Sequence, residues 1–181
     1  MEEDILKKEI DYKKELEKDY ARWNDVYTNG CNDPSWADGV NLNLIRNHII
    51  ADKRKLKETF SEDELPELYF QELPPEVSSS YMAKPNEIMA AATAYYEACT
   101  SSEEWDQLLN AFDFLDENDP KQKSMRFFIQ RIKALKKAID SKDYVWMQRF
   151  KDPTESLKMV KEYAKGLNEL ELNESIQMSL F

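Results

Sequence analysis

Apolar residues along this chain recur every three or four positions rather than every second one, which is the periodicity of helices packed through one face. Ile5, Tyr12, Leu16, Tyr20 and Trp23 predict a first helix from about Glu3 to Val26. Its interleaved Lys and Glu give many i,i+4 pairs, and its apolar stripe is thin. Such a helix either edges its own domain or packs on another chain, a homodimer included. Leu42, Ile45, Ile49, Leu56 and Phe60 predict a second helix from Asn41 to Phe60, with Asp38 or Asn41 as its N-cap. Pro85 opens a third, from Asn86 to Thr100. Ser101 and Glu104 have the spacing of a capping box for a fourth, which ends near Asn118-Asp119-Pro120. Met125, Phe128, Ile129, Ile132, Leu135 and Ile139 form the inward face of a helix over Lys121–Ile139. A short helix over Ser141–Phe150 follows, and a last one begins at Asp152-Pro153-Thr154 and ends near Gly166.

Two segments break the periodicity. Residues 28–39 carry Asn-Gly, Asp-Pro and Asp-Gly, all turn formers, and Trp36 among them is expected to pack. Residues 61–84 hold Pro66, Pro74 and Pro75, six acids and a run of three serines, too long for a plain connector. Leu65, Leu68, Tyr69, Phe70 and Leu73 are expected to pin that segment's middle to the body. The prediction is an all-α fold: an irregular bundle of about six helices with a long N-terminal helix and a Pro/acid-rich middle loop. It is a single helical domain over 1–170 with a C-terminal tail over 171–181.

Composition agrees with helices. Only three glycines occur in 181 residues, too few for a turn-rich β protein. Apolar residues make up 41% and charged residues 34%, a core under a heavily charged surface. Cys31 and Cys99 do not make a disulfide scaffold. No apolar leader segment stands at residues 1–10 and no run reaches membrane-span length, so a cytoplasmic setting without membrane contact is expected.

Charge is unevenly spread. The formal net charge is −11, which opposes indiscriminate DNA binding. Seven bases and no acid lie between 121 and 137: Lys121, Lys123, Arg126, Arg131, Lys133, Lys136 and Lys137. Arg46, Lys53, Arg54, Lys55 and Lys57 face one acid, Asp52, between 46 and 57. These two helix faces are candidates for phosphate or acidic-partner contact, or are solvated faces balanced by neighbouring acids.

Catalytic and metal chemistry is thinly represented. His48 is the only histidine and no Cys-x-x-Cys occurs, so neither a metal site nor a cofactor is expected. A Cys31–His48 nucleophilic pair has no local support. Asp113, Asp116 and Glu117, at i, i+3 and i+4 on the predicted fourth helix, are a conceivable Mg²⁺ set for an all-α hydrolase, but no second acidic motif faces them. No Gly-rich phosphate loop, serine elbow or kinase signature is present.

The sequence closes on Gln177-Met178-Ser179-Leu180-Phe181 after an acidic stretch. This pentapeptide resembles the motif by which bacterial polymerases and mismatch-repair proteins bind the ring-shaped DNA sliding clamp. The resemblance implies that Gln177 is the polar anchor, that Leu180 and Phe181 fill an apolar pocket, and that Met178 is the adaptable second position, followed by the small polar Ser179. The competing reading makes Leu172, Ile176 and Leu180 the last turns of a core-packing helix. The block Asp33-Pro34-Ser35-Trp36 through Arg46-Asn47-His48 resembles small phage and mobile-element proteins of Gram-positive gut bacteria. Together these resemblances imply a non-enzymatic accessory protein in DNA transactions, tethered to the clamp and contacting DNA. The alternative is an acidic anti-CRISPR-type inhibitor that binds a Cas9-type, nucleic-acid-guided nuclease.

Overall fold

The computed structural model describes the backbone of residues 2–179 and the side chains of residues 12–171 and 178. The fold is all-α: seven α-helices, with three short 3-10 turns and no strand among the described residues. The helices are α1 (Glu2–Asn29), α2 (Asp38–Thr59), α3 (Pro85–Thr100), α4 (Glu103–Ala111), α5 (Pro120–Ser141), α6 (Tyr144–Met147) and α7 (Thr154–Ser179). The chain divides into two compact units, residues 1–85 and 86–181, where the sequence reading expected one domain over 1–170. The expected start of a tail at 171 falls inside α7.

In the first unit α1 and α2 pack through the predicted stripes. Leu16, Leu42, Ile49 and Leu56 are completely buried between them. Each such side chain contributes roughly 1.5–3 kcal/mol on leaving water. Gly30 ends α1 in the left-handed region at φ +75°, where its N–H donates to Val26 O at 2.9 Å. Segment 61–84 is an ordered strap over this helix pair. Ser61 N–H and Oγ both donate to Glu64 Oε2, at 3.0 and 2.7 Å, fixing its first turn. Leu65, Leu68 and Tyr69 pack on the core as expected. Phe70 and Leu73 do not: they are 61% and 40% exposed. Trp36, expected to pack, is 59% exposed, because Asp33 carboxylate bonds to Ser35 N and Trp36 N shape the loop without it.

The second unit is built around α5, whose Ile129, Ile132 and Leu135 are fully buried. Asp119 caps α5, accepting from Lys121 N and Gln122 N at 2.9 and 3.0 Å, with Pro120 at the first helical position. The α4 cap is Ser102 rather than Ser101. Ser102 has extended backbone and accepts from Trp105 N at 3.2 Å, whereas the Ser101 hydroxyl turns back to Ala98 O. α4 is shorter than expected and passes into a 3-10 turn, Phe112–Phe114. α7 does not stop near Gly166. Val160, Ala164 and Leu167 continue one buried stripe through that point. A Cβ at Gly166 would lie 3.3 Å from Met125 Cε, so the glycine serves close helix packing rather than termination.

Candidate interaction surfaces

The α2 bases and the acidic strap come together. Asn43 holds Val77 by both backbone groups: its amide nitrogen donates to Val77 O at 2.9 Å and its oxygen accepts from Val77 N at 3.1 Å. One turn on, Arg46 Nε donates to Pro74 O at 2.8 Å, and Nη1 pairs with Glu76 at 3.4 Å. Lys53 donates to Gln71 O and lies over the rings of Tyr20 and Tyr69. The Tyr20 hydroxyl donates to Gln71 O and Glu72 O at 3.2 and 3.0 Å. Two of the five α2 bases on the face expected to contact phosphate, Arg46 and Lys53, thus hold strap carbonyls. Arg54 is exposed.

Asp38 or Asn41 was expected to cap α2. The cap position is instead Ala37, which offers no side-chain bond. Asp38 is buried and ties two loops together, accepting from Cys31 N at 3.0 Å and from Ala83 N at 2.9 Å. Its neighbour Gly39 donates to Tyr81 O, and a Cβ there would sit 1.9 Å from Ser78 O. Only glycine lets the strap approach α2 so closely. The Cys31 thiol also contacts Asp38, at 3.2 Å. Burial, and then that carboxylate, raise its pKa above the ordinary thiol value, the opposite of an activated nucleophile. His48 is more than half exposed and lies 4.0 Å from Asp19. Burial raises the Asp19 carboxyl above the ordinary range, with His48 opposing. Asp52 is raised for the same first reason, with Asp19 adding to it.

On α5 the seven bases divide. Arg126 is used internally: it donates to Phe112 O at 2.7 Å, pairs with Glu117 at 3.2 Å and stacks over the Phe112 ring at 4.4 Å. Lys133 lies over the same ring at 4.2 Å, and Lys136 pairs with Asp140 at 2.7 Å. Lys121, Lys123, Arg131, Lys133 and Lys137 are exposed. Lys123, Arg126, Gln130, Lys133 and Lys137, spaced three and four apart, form one stripe on the side of α5 away from its buried face.

Beside that stripe is a groove of about 560 Å³ between α3, α5 and α7, lined by Lys123, Phe127, Phe128, Arg131, Met159 and Tyr163 among others. The hydroxyls of Tyr95 and Ser156 are hydrogen-bonded to each other in its lining. Phe127 is 68% exposed at the rim. Residue order alone does not disclose this groove, which three helices assemble. Its one local signal was Phe127, an aromatic lying off the buried stripe that Phe128 belongs to.

The acidic triplet does not share a helix face. Asp113 lies in the 3-10 turn after α4, Asp116 accepts from Asn118 N in the following loop, and Glu117 pairs with Arg126. Among the described residues no three His, Cys, Asp or Glu side chains are grouped as a metal ion requires. At the C-terminal end, α7 carries Gln177, Met178 and Ser179 as helix, and Met178 is 77% exposed. Leu180 and Phe181, and the side chains of Gln177 and Ser179, lie outside the described residues, as do those of Leu172 and Ile176. No described helix is long and apolar enough to cross a membrane. No protein-family model, curated protein or solved structure matches the chain.

Proposed function

We propose that this chain is a binding protein of DNA transactions, joined to the sliding clamp through Gln177–Phe181 and placing the outer stripe of α5 against phosphates. The observation that carries the reading is the exposure of Met178 at 77%, within the pentapeptide itself. A segment that continued the α7 core stripe would bury its apolar residues; an exposed linear side chain here suits an adaptable peptide contact. Lys123, Lys133 and Lys137 add a cationic edge that attracts phosphate at low salt. Pull-down on purified bacterial clamp tests the first element. Full-length protein should be retained and a variant ending at Ile176 should not; equal retention of both removes the reading. For the second, Lys133→Glu/Lys137→Glu should weaken duplex binding without affecting clamp capture.

A second reading is favoured by the strap. Its acids Glu62, Asp63, Glu67 and Glu72 are all exposed on an ordered backbone. Such a surface suits the positively charged channel of a nucleic-acid-guided nuclease, where it would compete with DNA. Inhibition of target cleavage that survives loss of Gln177–Phe181 supports this reading. Unimpaired cleavage at saturating protein excludes it for the effector tested.

A further inference from the structure

We propose that the groove between α3, α5 and α7 receives the Glu67–Leu73 ridge of a second copy of this chain. This goes beyond both readings above and depends on neither. Each half of the contact lies within one compact unit.

The groove presents an apolar centre between two cations. Phe127 stands at its rim, 68% exposed, over a floor that includes Met159 and Tyr163. Lys123 and Arg131 lie four residues to either side of Phe127, so they share its side of α5 and are about 12 Å apart along the axis. A cavity of about 560 Å³ holds one or two large side chains.

The ridge presents the opposite pattern. Phe70 and Leu73 are 61% and 40% exposed, with the exposed acids Glu67 and Glu72 beside them. Phe70 is braced edge-to-face on Tyr69, ring centres 5.2 Å apart. The ridge backbone is already fixed by Tyr20, Arg46 and Lys53, so docking orders little additional chain. An apolar anchor between carboxylates fits an apolar slot between cations, and steering by charge sets the register. Because one chain carries both surfaces, the groove of one copy can take the ridge of another, head to tail.

The test is sedimentation velocity on the full chain from low-micromolar to high-micromolar concentration. The weight-average mass should rise above that of one chain. Lys123→Glu/Arg131→Glu makes groove and ridge both acidic; Glu67→Lys/Glu72→Lys makes both basic. Each variant alone should associate roughly tenfold more weakly or worse, with its helical circular dichroism retained. Mixing the two variants pairs an acidic groove with a basic ridge, and a basic groove with an acidic ridge, and should restore association. Phe127→Ser should weaken association in any pairing. The proposal is overturned by a wild-type mass that stays that of one chain, as docking of the ridge within its own chain would give. It is equally overturned by association that ignores both charge variants, or by a mixture that stays monomeric.

Discussion

The basic stretches of α2 and α5 look alike as sequence and differ as structure. On α2 an acidic strap folds back across the bases. Arg46, with only 21% of its side chain exposed, bonds the Pro74 carbonyl, and Lys53 bonds the Gln71 carbonyl. On α5 one base, Arg126, is comparably enclosed at 20%, while Lys123, Lys133 and Lys137 remain exposed. A run of cations therefore announces a partner without saying which one. On α2 the partner includes backbone carbonyls of the same chain, since a strap with three prolines and few internal backbone bonds leaves its carbonyls in need of donors. On α5 no such segment among the described residues supplies acceptors along the whole stripe, and part of it is exposed.

The comparison breaks most visibly at the strap. Gly39→Ala puts a methyl 1.9 Å from Ser78 O, so backbone must move; a loss of about 3 kcal/mol is expected in urea titration. A loss under roughly 0.5 kcal/mol, the size of an ordinary surface substitution, would mean that the strap yields freely there. Asp38→Ala removes the acceptor of Cys31 N and Ala83 N and should cost about 2 kcal/mol by the same measurement. Arg46→Ala should cost about 1–2 kcal/mol, since Pro74 O and Glu76 lose their donor, and hydrogen exchange should rise in the strap. Lys133→Ala and Lys137→Ala on α5 should stay within about 0.5 kcal/mol. If they cost as much as Arg46→Ala, the contrast between the helices fails.

The smallest expected effect concerns pH. Burial raises the Asp19 carboxyl above its unfolded value, so the folded state binds the proton more tightly than the unfolded chain does. Between those two values stability falls as pH rises, and above both the ionised carboxylate is a standing cost. Asp19→Asn should therefore raise the melting temperature slightly at neutral pH and flatten its dependence on pH in the acidic range just above the ordinary Asp value. An unchanged slope would assign the pH dependence elsewhere, with Asp52 the next candidate because its carboxyl is raised in the same direction.

Much of the fold was legible because helical burial repeats locally. The stripes through Leu16, Tyr20 and Trp23, through Leu42, Ile45 and Ile49, and through Met125, Ile129 and Ile132 are buried as their spacing required. Pro85 opens α3 as read, whereas Pro120, read as the close of the fourth helix, opens α5. Errors arose where a local signal had two meanings. Ser101 and Ser102 are both capping residues, and only the backbone at 102 selected one. Gly166 reads as a stop but serves close packing on Met125, because a single glycine costs a helix only about 1 kcal/mol against a continuous buried stripe. Asp113, Asp116 and Glu117 share a face only if α4 continues, and it ends at Ala111. Of the candidate surfaces, the basic stretches and the terminal pentapeptide were visible as residues in order. The groove was not, because it draws on α3, α5 and α7, far apart in the chain.

By itself the sequence determined the helical class, the faces that turn inward and the stations of charge, since each depends on residues within a few turns of one another. Only the tertiary structure decided the rest: that the chain forms two units, that Arg46 and Lys53 spend their donors on a strap about twenty to thirty residues away, and that Phe127 and Phe70 stay in water. Those outcomes hang on long-range approach, a backbone carbonyl in reach or a glycine thin enough to admit it, and spacing along the chain does not encode such distances.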